Sequence, residues 1–144
     1  MRIWFYLDEN PTSTAQEKGA TVIGGRVHHY TKKNIVEARR LYQRKILQFM
    51  REHDIHVGSL YGAVEVSVTF GFATKDKKKH RTLKATKPDC DNLVKLLLDV
   101  LADLGFFAVG DQQVALLSVG KFWSDKPYIN ILIREVDGVR EVAQ

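Results

Sequence analysis

The segment from Ala63 to Ala73 alternates apolar and polar residues without a break. Its apolar positions are Val64, Val66, Val68, Phe70 and Phe72. A period of two places these side chains on one face of an extended chain, so the segment predicts a β-strand with one buried face. This is the best-defined strand in the sequence, and any fold of the chain must bury its valine and phenylalanine side.

A second pattern predicts a helix that begins at about Asp89 or Asp91 and ends at Leu104, before Gly105. Six apolar residues recur at helical spacing and cover one side of it: Leu93, Leu96, Leu97, Val100, Leu101 and Leu104. The other side carries Asp91, Lys95 and Asp99. The apolar side must pack on a sheet.

The remaining segments predict a small α+β protein. Asn34 and Glu37 resemble a capping box, after which helical spacing predicts a first helix of about five turns. Further strands are predicted from Arg2 to Leu7, Val114 to Trp123 and Tyr128 to Glu135. We expect Asp8 to Gly19 to be irregular, whereas Thr21 to Tyr30 could form a bulge, a hairpin or a flexible surface segment.

Length and composition favour one domain. The chain has 144 residues, 44% of them hydrophobic, and contains no internal repeat or linker. We therefore expect a single domain over residues 1–144, with a mixed sheet of four to five strands packed against two main helices. There is no apolar run of roughly 20 residues and no signal-like N-terminus, which favours a soluble cytoplasmic protein without a membrane partner. The single cysteine, Cys90, cannot form an internal disulfide and has no zinc-site spacing around it.

Positive charge is concentrated in one segment, from Lys75 to Lys87. It holds seven Lys or Arg residues against one acid, a net charge of +6, although the whole chain carries only +5. The cationic residues are Lys75, Lys77, Lys78, Lys79, Arg81, Lys84 and Lys87. Such a patch is typical of a nucleic-acid contact, because neutralising phosphates releases condensed counterions. A solvated loop that keeps the protein soluble is the alternative interpretation.

Acidic residues lie immediately after this basic segment. Asp89 and Asp91, two residues apart at the start of the predicted helix, can direct both carboxylates toward one point, and Asp111 could supply a third. Hard cations such as Mg²⁺ prefer a few carboxylate oxygens and leave coordination positions for phosphate. Lys95, one turn into the helix, could neutralise a scissile phosphate or steady an attacking water.

A structural interpretation competes with this metal site. Asp91, Lys95 and Asp99 follow an i, i+4, i+8 spacing, so they could form a surface ion-pair ladder. Asp91 and Asp99 are separated by about 12 Å along a helix, too far for both to grip one ion, so we expect Asp99 to orient Lys95. Cys90 lies between two acids that disfavour its thiolate, and we interpret it as a packing residue. The aromatic residues are expected in the core: Trp4, Phe5, Phe106, Phe107, Phe122 and Trp123.

A set of spaced residues gives the chain a family resemblance. The run Lys87, Pro88, Asp89, Cys90, Asp91, Asn92, Leu93, Val94 and Lys95 is followed by Asp99, Leu101, Gly105, Asp111, Gln113 and Val114. This pattern resembles the signature of the RusA family of Holliday-junction resolvases, closely over about 28 residues from Lys87 to Val114. The family commonly has two adjacent acids before the Gln-Val pair, whereas this chain has Gly110 before Asp111.

The resemblance implies a RusA-like, homodimeric, Mg²⁺-dependent endonuclease that resolves four-way DNA junctions in recombination and repair, of a kind often encoded by prophages. Mn²⁺ is a possible substitute, and no organic cofactor is implied. Carried over by position, Asp89, Asp91 and Asp111 would bind metal, and Lys95 would be the catalytic lysine. The basic segment would bind DNA. Two alternatives remain: a junction-binding protein of the same fold with impaired catalysis, and a small α+β protein that binds another protein.

Overall fold

A four-stranded mixed sheet forms the centre of the protein. The computed structural model describes residues 2–14, 18–138 and 140–141. The strands are β1 (Arg2–Leu7), β4 (Val64–Ala73), β5 (Val114–Ser124) and β6 (Tyr128–Glu135), in the order β1-β6-β4-β5. β4 pairs parallel with β5 at one edge, and the other two pairings are antiparallel. The predicted α+β class with a mixed sheet and two main helices is confirmed.

A separate hairpin, β2 (Lys18–Ile23) and β3 (Arg26–Thr31), follows the first strand. Gly24 and Gly25, both at positive φ, form its two-residue turn. The sequence was compatible with a bulge, a hairpin or a flexible segment from Thr21 to Tyr30, and the structure shows the hairpin. The irregular stretch predicted from Asp8 falls partly on residues 15–17, which lie outside the described part of the chain, and β2 already begins at Lys18.

Two helices cover one face of the sheet. They are α1 (Lys33–Glu52) and α2 (Cys90–Asp103), and their lengths agree with the sequence patterns. The capping box expected from Asn34 and Glu37 is wrong, because α1 already begins at Lys33, with Lys32 as its N-cap residue and no side-chain cap hydrogen bond. The alternating residues of β4 and β6 and the apolar side of α2 together form one buried core. Trp4, Phe122 and Trp123 are exceptions to the predicted core set. β1 directs Trp4 to the opposite face, where it is 48% exposed, and Phe122 and Trp123 of β5 are only partly buried and lie outside the core cluster. Among the described residues, no helix has the length and apolarity needed to span a membrane.

The loop after β1 is fastened to both helices. The hydroxyl of Tyr42 in α1 accepts from the Thr12 amide at 2.8 Å and donates to the Asn10 carbonyl at 3.1 Å. Burial raises the pKa of this tyrosine. Thr14 donates through its amide and its hydroxyl to the carbonyl of Asn92, in the first turn of α2. The start of α2 is therefore braced from the N-terminal side.

The connection from β4 to α2 runs back along β5. A short 3₁₀ helix (Lys77–Lys79) is capped by the Asp76 carboxylate, and residues 81–84 then hydrogen-bond to residues 121–123 of β5. This pairing covers only the C-terminal half of the β5 edge. A cis peptide bond joins Lys87 to Pro88, directly before α2.

Candidate active site

The first turn of α2 presents the acids that the sequence singled out. Asp89 is the N-terminal cap residue, and its carbonyl accepts from the Leu93 amide at 3.2 Å. Its carboxylate makes no capping hydrogen bond to the backbone of the helix. Asp91 follows in the first turn and is exposed, as is Lys95 one turn later. Anionic groups are favoured at this end of a helix by the partial positive charge of its free amides.

Asp91 and Lys95 line an open cleft of about 580 Å³ between α2 and β5. Asp111, the first residue of a second 3₁₀ helix (Asp111–Gln113), lines the same cleft. The remaining lining residues are Asn92, Val94, Leu98, Leu117 and Val119. Two carboxylates and an ammonium therefore share one cavity with an apolar wall. Asp89 is not among the lining residues.

The acids border different parts of this cleft. Cys90, at the start of α2, contacts the Val119 carbonyl at 3.9 Å, whereas Asp111 begins the 3₁₀ helix that ends at Gln113, just before β5 starts at Val114. Among the described residues, no three His, Cys, Asp or Glu side chains are grouped closely enough to hold a metal ion by themselves. Two carboxylates suit Mg²⁺, which is commonly bound by one or two carboxylates together with water and substrate phosphate.

Gln113 fixes the loop that carries Asp111, a role that the sequence reasoning did not assign. Its amide nitrogen donates to the carbonyls of Leu60 and Gly62 at 2.9 and 3.0 Å. Its amide oxygen accepts from the backbone of Val109 at 2.6 Å and of Gly110 at 3.3 Å. One side chain thus joins this loop to the segment before β4. The only available signal was the place of Gln113 in the family pattern.

The backbone explains why Gly110 precedes Asp111. Gly110 has φ 153°, a conformation that favours glycine. A Cβ atom at this position would also overlap the side-chain amide oxygen of Gln112. The glycine lets the chain turn from the end of α2 into the 3₁₀ helix, so it has a conformational role where the family commonly has an acid.

Two lysine ammonium groups hold the connection that leads into α2. Lys121 of β5 donates to the carbonyls of Thr86 and Pro88 at 2.6 and 2.7 Å. Lys84 donates to the Thr86 hydroxyl and the Lys87 carbonyl, both at 2.5 Å. These contacts fix the backbone immediately before Asp89. Nothing in the sequence distinguished Lys121 for this role.

Lys84 differs from the rest of the basic segment. It is only 8% exposed, and its ammonium lies 5.1 Å from the ring centre of Phe72 and 4.5 Å from that of Trp123. Burial, with a further contribution from the nearby charge of Lys121, lowers the pKa of Lys84. This side chain is directed into the protein and is not available to a phosphate. The other six cations are exposed: Lys75, Lys77, Lys78, Lys79, Arg81 and Lys87.

Two further expectations concern the neighbours of these acids. The expected orientation of Lys95 by Asp99 stays a prediction. The structure pairs Asp99 with Arg39 of α1 at 3.6 Å. It therefore links the two helices. Cys90 is partly buried against β5, which agrees with its interpretation as a packing residue.

Carboxylates and an ammonium in one cleft, beside an exposed basic segment, form an arrangement suited to metal-assisted chemistry on a phosphate group. Comparison with known proteins gives the family. The sequence model of the family described as Endodeoxyribonuclease RusA matches residues 8–134. The chain therefore belongs to the RusA family.

Two relatives illustrate this similarity. The protein described as crossover junction endodeoxyribonuclease rusA, of Lactococcus phage r1t, is 33% identical over 132 residues, covering 92% of this chain and 95% of the relative. The uncharacterized protein YqaN of Bacillus subtilis (strain 168) is 38% identical over 78 residues, covering 54% of each chain. The first similarity extends across almost all of both proteins.

Replacing Gln113 with leucine tests its role in holding the Asp111 loop. We expect the free energy of unfolding to fall by about 1–3 kcal/mol, because four hydrogen bonds to backbone groups are lost. Amide exchange measured by NMR should accelerate at Val109 and Gly110. The matched control is Gln112→Leu, next in the chain and exposed, which should change neither quantity appreciably. Unchanged exchange at both amides in Gln113→Leu would contradict the assignment.

Proposed function

We propose that this protein is a Mg²⁺-dependent endodeoxyribonuclease that resolves four-way DNA junctions by paired phosphodiester hydrolysis in recombination and repair. The observation that carries the proposal is the cleft that Asp91, Lys95 and Asp111 share beside the exposed basic segment. Membership of the RusA family and the printed name of the phage relative support it. Mn²⁺ is expected to substitute for Mg²⁺, and no organic cofactor is required.

The residues divide the chemistry between them. Asp91 and Asp111, which line the same cleft, are the proposed metal ligands, together with Asp89, whose carboxylate is not used in capping. Because no three acidic side chains are grouped closely enough in the described residues, water and the substrate phosphate would supply the remaining coordination positions. The bound cation supplies an activated water and neutralises charge on the phosphate. The Lys95 ammonium would stabilise negative charge that develops on the scissile phosphate. Leu98, Leu117 and Val119 provide an apolar wall, which strengthens these interactions by limiting solvent.

The basic segment would position the DNA. Its exposed cations follow β4 and lead directly to Asp89, so phosphates bound there lie beside the proposed cutting site. Phosphate contacts fix register and orientation without reading sequence, as a nuclease directed at branched structure requires.

The proposal predicts that Asp91→Asn abolishes Mg²⁺-dependent cleavage of a synthetic four-way junction while leaving junction affinity within about threefold. The substitution preserves shape and removes one anionic ligand, and the loss in rate should be about 100-fold or more. Cleavage is measured on denaturing gels, and affinity in Ca²⁺ by fluorescence anisotropy. Asp103→Asn is the matched control, because Asp103 is an exposed aspartate at the far end of the same helix.

Full cleavage by Asp91→Asn would defeat the nuclease mechanism. If the wild-type chain binds junctions but cleaves them with neither Mg²⁺ nor Mn²⁺, the protein is instead a junction-binding member of the fold with impaired catalysis. The presence of Gly110 where the family commonly has an acid motivates that second candidate. Junction affinity that hardly changes with salt would favour a protein-binding role over both.

Lys78 and Lys84 separate the DNA-binding role of the basic segment from its structural role. Lys78→Met should reduce the slope of log affinity against log salt by about one and leave stability within about 0.5 kcal/mol. Lys84→Met should leave that slope unchanged and lower the free energy of unfolding by about 1–3 kcal/mol, because its two oxygen partners lose their donor. A reversed pattern in binding and chemical denaturation would contradict this division.

A homodimer is part of the proposal, since resolution requires paired cuts on two equivalent strands. The edge of β5 offers a surface for it: Val114 to Gly120 carries no charge, and Leu116 and Leu117 are 45% and 48% exposed. Edge strands of monomers usually carry charged side chains that prevent such pairing. Sedimentation velocity should therefore show a dimer that Leu116→Lys dissociates, with Leu83→Lys, at another exposed leucine, as the control. A wild-type monomer at assay concentrations would overturn this part.

A further inference from the structure

The face of the sheet that the two helices leave uncovered carries a hollow of about 450 Å³. It lies at the C-terminal ends of β4 and β5, and its lining includes Thr69, Phe122 and Tyr128 from three adjacent strands. The register places Tyr128 and Phe122 on either side of Gly71 in one row across the sheet. Asn130, Thr69 and Gly120 form the next row. Two aromatic side chains therefore flank a strip of small residues.

Both rings lie back against the sheet over glycine residues. A Cβ atom at Gly71 would overlap the ring of Tyr128, and one at Gly120 would lie 3.0 Å from Cε2 of Phe122. Each glycine thus makes room for a ring to rest on the backbone. Both aromatic residues remain partly exposed to solvent.

The aromatic surface extends further across the sheet and is bordered by positive charge. Tyr6 of β1 stacks on Tyr128, with ring centres 5.7 Å apart and planes 17° from parallel. Arg81 lines the hollow at a positive φ of 69°, and its amide donates to the Trp123 carbonyl. Arg81 is also one of the exposed cations of the basic segment, so a strand of DNA bound by that segment passes the hollow. Asp125 lies at this end of the sheet as well. Burial raises the pKa of Tyr6, with smaller contributions from the charges of Asp8 and Asp125.

We propose that this aromatic hollow binds an unpaired nucleobase of single-stranded DNA by stacking. The inference rests on the proposed function for the identity of the nucleic acid and adds a second contact to it. Every base has an aromatic face, so stacking on open rings beside a cation is the common way to hold unpaired bases without reading sequence. Bases at the branch point of a junction can be unstacked from their neighbours, which would supply such a ligand.

The hollow and the acidic cleft lie on opposite faces of the same strand. Leu117 and Val119 line the cleft, and Phe122 lines the hollow three residues further along, a separation of about 10 Å along the strand. A base held in the hollow would direct its own backbone around the edge of β5, past the basic segment. The hollow is therefore a positioning site for the DNA strand and does not touch the proposed reacting phosphate.

Covering of strand glycines by aromatic rings also stabilises sheets, so the experiment must separate stacking from stability. The probe is a single-stranded DNA octamer that contains 2-aminopurine, compared with an octamer of equal charge that has abasic sites. Both are titrated in EDTA, so cleavage plays no part. The wild-type protein should bind the base-bearing strand at least about fivefold more tightly than the abasic strand. The 2-aminopurine fluorescence should change on binding.

Substitutions in the hollow test whether it causes the preference for the base-bearing octamer. Phe122→Leu and Tyr128→Leu still cover the glycines but cannot stack, so each should reduce the preference toward unity. Tyr128→Phe retains a ring and should retain the preference. Tyr61→Leu, at an exposed tyrosine in the loop before β4, is the control for loss of a tyrosine elsewhere. Lys78→Met should weaken both octamers equally, because it removes a phosphate contact alone.

Three results would overturn the proposal. The wild-type protein could bind both octamers equally, or Phe122→Leu and Tyr128→Leu could keep the full preference. If these variants instead dissociate a dimer in sedimentation velocity, a second copy of the chain covers this face and the base-binding role is wrong. If the wild-type protein does not cleave junctions but still prefers the base-bearing octamer, only the proposed nuclease function is wrong. Failure of the nuclease proposal can therefore be distinguished from failure of the base-binding proposal.

Discussion

The parallel pairing of β4 with β5 is the constraint on which the site depends. Parallel neighbours cannot be joined by a tight turn, so the chain must cross from the end of one strand to the beginning of the other. That crossing contains the basic segment, α2 and the loop of Asp111, in that order. Because α2 packs against the sheet beside β5, Asp91 in its first turn and Asp111, at the start of the 3₁₀ helix before β5, border one cleft. The proposed chemistry follows from the crossing, although its residues are separated along the chain.

The buried ammonium group of Lys84 gives part of the basic segment a structural role. A cation loses hydration when it is buried, and the loss is tolerable only when oxygen atoms and aromatic faces replace the water. Lys84 has both kinds of partner, and Lys121 binds two carbonyls in the same stretch. The acids of α2 are consequently anchored by positive charge on the protein side, while the remaining cations of the segment face solvent. Within one short segment, therefore, one buried lysine supports the backbone, whereas the exposed lysine and arginine residues are available to bind DNA.

Periodicity in the sequence predicted the elements but not their partners. The alternation in β4 and the apolar side of α2 gave these elements nearly to the residue, because burial of one face determines both patterns. The same parity rule places Trp4 beside Arg2 and Tyr6 on the exposed face of β1, so its misassignment to the core was avoidable. In contrast, the burial of Lys84 depends on Phe72 and Trp123, which come from two separate strands. No local pattern identifies such a contact, nor the four-way hydrogen bonding of Gln113.

The register of β5 decides which of its residues serve which surface. At the start of the strand Val64 pairs with Val114 but Glu65 pairs with Leu116, so one extra residue, Ala115, enters β5. Since strand side chains alternate between faces, this irregularity reverses the parity of everything after it. Leu117 and Val119 consequently face the cleft with α2, and Gly120 and Phe122 occupy rows on the uncovered face. Without the extra residue Leu116 would take the cleft position and Phe122 would turn toward the buried layer, so a single-residue irregularity establishes both the wall of the cleft and the aromatic hollow.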